Sequence, residues 1–235
     1  ALPEKISPLL IERVGAAYGD LTLHEKFSSA SAIRAALYES SPSWEKIAAQ
    51  VSKETLLALR EEKLFGLVNE NFLFRPLMIK LLTAHVDELK KIYGMTEGLE
   101  FRLLNATSAK NFAELIENLV GRRYTASRIR RLLLHFVMCL TAEEVIELDT
   151  ITCARILAFN ERGRTLLKKI SAPIITKLTK HLNRRDIYER RRILEPYQKI
   201  LSLDVLASDL RAILFNAPRP LQKDFSTPPL FVRFT

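Results

Sequence analysis

Five arginines lie within residues 122–131, and no acidic residue accompanies them. Arg122 and Arg123 come first and are followed directly by Tyr124. Guanidinium groups beside an aromatic ring suit the phosphates and stacked bases of RNA. The alternative is an ordinary solvated face, but such faces usually mix charges of both signs. The cluster therefore predicts RNA contacts for Arg122, Arg123 and Tyr124.

A two-faced helix is predicted directly after this segment. Thr125 is a favourable N-cap, and Arg128, Arg131 and His135 then share one face of the helix. The apolar residues between them occupy the opposite face, which should pack into the core. We expect Arg128 and Arg131 to face solvent and to bind RNA phosphates.

Two further basic segments follow. Residues 162–169 include Arg164 and Lys168, which we predict to extend the RNA-binding surface. Residues 181–192 hold five arginines together with two acidic residues. Pairing at i, i+3 and i, i+4 along a helix would neutralise part of this second cluster, so its role stays open.

A serine-rich helix start, SASAIR, spans residues 29–34. Free N–H groups, hydroxyls and the positive end of the helix dipole make such a start a ready phosphate site. Arg34 lies within the first turns and could add a charge-assisted hydrogen bond. The simpler reading is that Ser29 or Ser31 only caps the helix.

Residues for other kinds of chemistry are scattered along the chain. The four histidines have no Ser–Asp or Cys partner at catalytic spacing, and no glycine-rich nucleotide loop occurs. Cys139 and Cys153 lie among apolar residues, which predicts two free thiols rather than a disulfide or metal site. We therefore assign no catalytic residue and no metal ligand in this sequence.

Net charge is unevenly distributed over the 235 residues. Residues 1–120 hold 14 basic against 16 acidic side chains, and residues 121–235 hold 22 against 11. The whole excess of +9 thus comes from the second half, which indicates a polyanionic partner, either nucleic acid or an anionic membrane surface. No apolar run approaches the ~20 residues of a membrane span, and we expect a reducing, cytoplasmic compartment.

The pattern of elements is mainly helical, since glycine is scarce and 48% of the residues are hydrophobic. Residues 6–14 form the one apolar run that predicts a strand. The first helix should begin at Ser29 or Ser31, and a later one should run over 77–93, between Pro76 and Gly94. Further helices are predicted at 96–106, 111–120, 126–140, 142–148, 152–159, 161–170, 186–200 and 203–215. The proline-rich tail, 216–235, should be extended.

Several blocks occur in an order that resembles one known family. IERVGAAYGD, FSSASAIRAAL, EGLEFRLL, GRRYTASRIRRLLLH and ARILAFNERGRTLLKKI follow one another along the chain. Together they resemble the C-terminal two-thirds of the bacterial tRNA(Met) cytidine acetate ligases, which are related to HIGH-type nucleotidyltransferases. That resemblance implies an enzyme that activates acetate with ATP, as its magnesium complex, and acetylates N4 of the wobble cytidine of elongator tRNA(Met).

The resemblance also implies roles for individual residues. Arg13 holds the place of an ATP-contacting arginine, and Ser29, Ser31 and Arg34 match the block that closes the nucleotidyltransferase domain. The arginine-rich segment matches a further block at Arg123, Tyr124, Thr125, Ser127, Arg128 and Ile129.

Two departures from the family pattern qualify this match. Phe101 stands where the family commonly has asparagine, which puts a polar role there in doubt. The HxGH motif and an upstream ATP-binding asparagine do not occur in this sequence, which opens with Ala1. We therefore expect a C-terminal fragment that does not catalyse by itself.

The expected fold is a mainly α, multi-helix domain preceded by a strand and helix left from a truncated Rossmann-like α/β domain. Residues 1–40 would be that remnant, residues 41–215 the helical RNA-facing domain, and residues 216–235 the tail. The expected partners are tRNA, ATP and acetate, without a membrane. Two alternatives stay open: a non-catalytic helical RNA-binding protein, and a nucleotidyltransferase acting on a small molecule.

Overall fold

The chain divides into two compact units, Ala1–Leu67 and Val68–Thr235. A computed structural model describes residues 8–12, 14–17, 19–25, 27–96, 98–148, 153–189, 195–217 and 219–233. Helices predominate in both units. The boundary predicted at residue 40 separates a remnant of the catalytic domain from the RNA-facing domain. It is a division by function, and it stays a prediction.

The first unit contains three helices, α1 (Ala30–Tyr38), α2 (Trp44–Ala48) and α3 (Lys53–Phe65). Ser29 caps α1 as predicted: its hydroxyl accepts a hydrogen bond from the Ala32 N–H at 3.0 Å. Ala36, Leu37 and Ile47 form the buried centre of this unit. Its apolar core is small, so α1 and α2 are held by few buried side chains.

The predicted strand at 6–14 is not formed by the described part of that segment. Residues 8–12 and 14 have no strand pairing, and Leu10 is 94% exposed. Ile6, Ser7 and Arg13 lie outside the described residues. An apolar run becomes a strand only where a second strand accepts its backbone hydrogen bonds, and no such partner lies within the described residues. The expectation of a residual strand ahead of the first helix is therefore wrong for residues 8–12 and 14.

The second unit begins with a helical bundle that holds the largest core. Its helices are α4 (Phe74–Thr83), α5 (Val86–Lys91), α6 (Leu99–Asn105), α7 (Phe112–Leu119), α8 (Ala126–Val137) and α9 (Ala142–Glu147). Short 3₁₀ turns at Glu70–Leu73 and Ala106–Ser108 join some of them. The central side chains are leucines and isoleucines from α4 to α8, with Phe112 and Phe136.

The predicted helix over 77–93 is two helices. Ala84 has extended backbone angles, and the His85 N–H donates to the Glu88 carboxylate at 3.3 Å, which restarts the helix as α5. A carboxylate that caps a backbone N–H in this way satisfies one of the donors a helix start leaves free. Local capping therefore overrides the continuous apolar periodicity.

The C-terminal end of α8 is held by a lysine from α4. Lys80 Nζ donates to the carbonyl oxygens of Phe136 and Val137 and contacts Cys139 Sγ at 2.6 Å. The last carbonyls of a helix lack intrahelical partners, so an ammonium group there supplies hydrogen bonds and favours the helix dipole. Cys139 has a φ of +52°, the left-handed conformation that ends α8.

The remaining chain forms a second, smaller core. Its helices are α10 (Glu161–Leu167), α11 (Asp186–Glu189) and α12 (Pro196–Ile213), with 3₁₀ turns at Leu178–Lys180 and Lys223–Phe225. Four two-residue strands pair in parallel, β1 (Ala154–Arg155) with β3 (Ile174–Ile175) and β2 (Ala158–Phe159) with β4 (Leu230–Phe231). Ile175, Leu178, Leu182, Ile187, Leu201 and Val205 are its buried side chains.

Three sequence predictions for this region are wrong. The helix expected at 152–159 is replaced, from residue 153 onward, by strands β1 and β2. The break expected near residue 202 is absent, because α12 runs through it. The tail is not uniformly extended, since it contains a 3₁₀ turn and β4. Residues 230–231 of the tail pair with β2. This pairing gives the backbone of residues 158–159 the hydrogen bonds that a helix would otherwise have supplied.

Among the described residues, no helix is both long enough and apolar enough to cross a lipid bilayer.

The burial of Phe136 makes a direct stability prediction. The ring is fully enclosed in the large core, so Phe136→Ala should lower the free energy of unfolding by about 3–5 kcal/mol. Leu134→Ala on the same helix removes an exposed side chain, so it should change the free energy of unfolding by about 0.5 kcal/mol or less. Denaturant unfolding measures both; similar losses for the two variants would contradict this packing.

Candidate nucleic-acid interface

Helix α8 presents the two faces that the sequence predicts. Ile129, Leu132, Leu133 and Phe136 are buried, and Arg131 is exposed. The Thr125 hydroxyl accepts from the Arg128 N–H at 3.4 Å, a long contact that marks the start of the helix. Because the apolar face is fixed in the core, the orientation of the basic face is fixed as well.

The turn before α8 carries Arg122 and Arg123. Gly121 and Tyr124 exchange two backbone hydrogen bonds of 3.1 Å, which close the turn and leave both arginines on its exposed tip. Arg102 supports it from α6, since its Nη2 donates to the carbonyl oxygens of Asn118 and Val120 at 3.2 and 3.0 Å. A Cβ on Gly121 would lie only 3.3 Å from Arg102 Nη1. The spacing of the arginines in the sequence did not indicate this supporting role of Arg102.

The position of Tyr124 does not match its predicted role as a ring on which RNA bases stack. Its ring is only 7% exposed and belongs to the large core. The Arg128 guanidinium lies 4.8 Å from the centre of the ring, and the Tyr124 hydroxyl contacts the Thr96 carbonyl oxygen at 3.4 Å. A buried ring covered by a guanidinium cannot also stack on a base. Tyr124 instead positions Arg128.

The arginines of α8 have different partners. Arg128 Nη2 donates to the Thr96 hydroxyl at 3.1 Å and makes no ion pair within the described residues. Arg131 is exposed, and no carboxylate among those described contacts it. Arg130 instead forms two hydrogen bonds with Glu70, at 2.9 and 3.1 Å. The Glu70 carboxylate raises the pKa of Arg130 above its ordinary value and neutralises much of its charge.

A cleft of about 540 Å³ lies beside the basic face of α8. Its lining residues are Tyr93, Gly94, Arg128, Arg131, Leu132 and His135. The structure thus brings Arg128 and Arg131 together with Tyr93, an exposed tyrosine from outside the arginine-rich segment. Tyr93 is 39 positions before Leu132, and no local pattern could have paired it with α8.

The other predicted RNA-binding residues lie apart from this cleft. Arg164 and Lys168 are exposed at α10, and neither residue lines it. Arg184 and Arg185 are also exposed, whereas residues 190–194 of the third basic segment lie outside the described residues. The geometry therefore supports one defined interface at α8 and leaves the role of α10 a prediction.

The predicted ATP-binding residues fall in the first unit. Ser29 is buried, and its hydroxyl both donates to the Asp20 carbonyl oxygen at 2.5 Å and accepts from Ala32. This hydroxyl is therefore occupied as a cap. Ser31 is half-buried and Arg34 is exposed, while Arg13 lies outside the described residues.

The two cysteines and the possible metal ligands are the remaining groups with distinctive chemistry. Within the described residues Cys139 and Cys153 form no disulfide, and both are half-buried. Burial raises the pKa of the Cys153 thiol. Within the ranges that the structure describes, no group of three or more His, Cys, Asp or Glu side chains could hold a metal ion.

Comparison with known proteins identifies the family of the chain. A family model described as HIGH Nucleotidyl Transferase matches residues 1–225. The chain therefore belongs to the HIGH nucleotidyltransferase family.

The names of the similar proteins describe a narrower group than the family model. The tRNA(Met) cytidine acetate ligase of Halothermothrix orenii is 32% identical over 232 residues, which are 95% of this chain and 54% of that protein. The apo crystal structure of Thermotoga maritima TmcAL is 30% identical with a TM-score of 0.80, covering 95% of this chain and 55% of that one. A second structure, with alpha-thio ATP bound, is 29% identical with a TM-score of 0.75, covering 88% and 53%. The chain spans about half the length of the curated relatives it matches.

The exposure of Arg131 and the neutral partners of Arg128 predict that these two residues are not needed for stability. Replacing both with alanine should change the free energy of unfolding by about 1 kcal/mol at most, the scale of an exposed cation–π contact. Thermal and denaturant unfolding measure this change. A loss of about 3 kcal/mol or more would show that the pair serves the fold.

Proposed function

We propose that this chain supplies the tRNA-binding surface, and part of the ATP pocket, of an enzyme of the tRNA(Met) cytidine acetate ligase type. Such an enzyme activates acetate with ATP and acetylates N4 of the wobble cytidine of tRNA(Met). The observation that carries the proposal is the basic face of α8, where Arg128 and Arg131 line one cleft. Family membership and the ligase named among the similar proteins support the same reaction class.

Electrostatics favour a polyanion at this surface. The tip of the turn adds Arg122 to the two arginines of the cleft, and within the described residues no carboxylate contacts any of the three. The Arg128 guanidinium, which lies over the Tyr124 ring and donates to the Thr96 hydroxyl, loses little freedom when it binds phosphate. Arg164 and Lys168, on the same charged half of the chain, would extend the contact along the RNA.

The proposed share in ATP binding rests on the start of α1. Ser29 uses its hydroxyl as a cap, so the backbone N–H groups of the first turn, Ser31 and Arg34 would meet the phosphates. Arg13 is proposed to contribute from the preceding segment. The TmcAL structure with alpha-thio ATP supports nucleotide binding in the family. ATP would bind as its magnesium complex, and acetate would be the acyl source.

Salt dependence tests the RNA proposal. If about five phosphates are neutralised, the logarithm of the tRNA association constant should fall with the logarithm of salt at a slope of roughly −4 to −5. Replacing Arg128 and Arg131 with alanine should weaken binding and flatten the slope by about two units. Filter binding from low to physiological salt measures both.

A charge-matched control separates these contacts from net charge. Arg60 and Arg211 each lie over an aromatic ring and neither lines the cleft, so replacing both with alanine removes the same number of charges. That variant should keep nearly the original slope. Equal effects of the two double variants would contradict a defined interface, and no tRNA binding even at low salt would remove the RNA role.

A separate substitution tests the ATP proposal. In an active enzyme that contains these residues, Arg34→Ala should reduce acetyl-adenylate formation by about ten-fold or more, as for loss of a charge-assisted hydrogen bond. It should leave tRNA affinity unchanged. Arg60→Ala, which removes an arginine of the same unit, is the matched control. If Arg34→Ala lowers tRNA affinity and spares adenylate formation, Arg34 belongs to the RNA surface.

A further inference from the structure

The cleft beside α8 combines two kinds of chemistry. Arg128 and Arg131 are cations, whereas Tyr93 and His135 are rings, and Leu132 and Gly94 complete the lining. Phosphate binding alone would need only the arginines. An aromatic lining next to two guanidinium groups suits a ligand with a flat unsaturated ring and an attached phosphate.

Tyr93 is held in place at its backbone and leaves its ring accessible. Its N–H donates to the Leu140 carbonyl oxygen at 2.9 Å, and the neighbouring Ile92 pairs with Thr141. The tyrosine is nevertheless 44% exposed. Because the backbone that carries the ring is fixed, less conformational entropy is lost when the ring stacks on a ligand.

His135 completes the support of this ring. Its Nδ1 lies 3.0 Å from the Tyr93 carbonyl oxygen, and the two rings lie 5.3 Å apart at 41°. A carbonyl oxygen can only accept, so Nδ1 carries the proton and donates to it. In the neutral imidazole this leaves Nε2 as an acceptor for an amino or hydroxyl group of a ligand.

Gly94 keeps the space beside Tyr93 open. Its φ of +88° is a conformation that side chains rarely adopt, and the nearest neighbours of an added Cβ would be Leu132 and His135 at 3.8 and 4.0 Å. The cleft volume of about 540 Å³ lies within the range of small-molecule pockets, about 300–1,000 Å³. A single nucleotide fits that range.

We propose that this cleft binds one unpaired nucleotide of the RNA, with the base stacked on Tyr93 and its phosphate held by Arg128 and Arg131. The base must be unpaired and unstacked, because a duplex presents phosphates to a surface but hides the faces of its bases. His135 Nε2 accepts a hydrogen bond from the base or from a 2′-hydroxyl. The inference rests on the proposed RNA-binding function and specifies which part of an RNA the α8 surface selects.

Comparison of single-stranded and duplex RNA tests the proposal. Short RNAs of one sequence, alone and as a duplex, are titrated with the 235-residue chain and followed by fluorescence anisotropy. Tyr93→Ala should weaken single-strand binding by about 5- to 150-fold, the range for loss of one stacked base, and should leave duplex binding unchanged. Tyr93→Phe should keep single-strand affinity within about two-fold, since stacking needs the ring and not the hydroxyl.

Matched variants guard against indirect effects. Phe72 is 45% exposed, nearly the same as Tyr93, and does not line the cleft, so Phe72→Ala should leave single-strand binding unchanged. Tyr93→Leu preserves an apolar side chain without a flat π-face, and serves if Tyr93→Ala unfolds the protein. Thermal unfolding of each variant confirms that the fold is retained.

Each outcome separates this inference from the function on which it rests. If Tyr93→Ala or Tyr93→Leu weakens single-strand and duplex binding equally, the proposal of a nucleotide pocket is wrong although RNA binding stands. The same holds if the substitution weakens neither kind of binding. If Phe72→Ala weakens single-strand binding as much as Tyr93→Ala, the pocket is likewise wrong. If the unaltered chain binds neither RNA at low salt, the proposed RNA-binding function itself fails.

Discussion

Burial of the apolar face of α8 is the interaction on which the candidate interface depends. Ile129, Leu132, Leu133 and Phe136 fill the large core, and each fully buried aliphatic side chain contributes about 1.5–3 kcal/mol. Rotating the helix to hide the arginines would expose these side chains to water. The same burial therefore stabilises the bundle and directs Arg131 toward solvent.

Polar contacts from neighbouring residues fix the two ends of α8 more closely than apolar packing alone. Lys80 holds the last carbonyls of α8, while Arg102 supports the turn before it through the carbonyl oxygens of Asn118 and Val120. Tyr124 is buried beneath Arg128. Both ends of α8 and one arginine of its basic face are thus fixed by residues that need not touch RNA. Such preorganisation lowers the entropy lost on binding.

Positive charge serves the fold as well as the interface. Arg130 pairs with Glu70, and Arg155 forms ion pairs with both Asp204 and Asp224, joining β1 to α12 and the tail. Burial opposes the charge of Arg155, but hydrogen bonds to Asp224 and Asp204 outweigh it and raise the pKa of the guanidinium. Removing Arg155 would leave two carboxylates near each other. The net charge of the second half already subtracts its own acidic residues, Asp204 and Asp224 among them. The pairing of Arg130 with Glu70, which lies in the first half, lowers the charge that the second half can offer to a polyanion.

Local patterns of the sequence by themselves determined the helical class, the caps at Ser29 and Thr125, and the two faces of α8, because periodicity and capping act within a few residues. Only the tertiary structure decided the strands at residues 154–159, the burial of Tyr124 and the meeting of Tyr93 with Arg131. Strand pairing with residues 174–175 and 230–231 depends on partners distant in the chain. Whether an aromatic ring is buried or open to a ligand likewise depends on what packs against it, and no spacing within one segment encodes that.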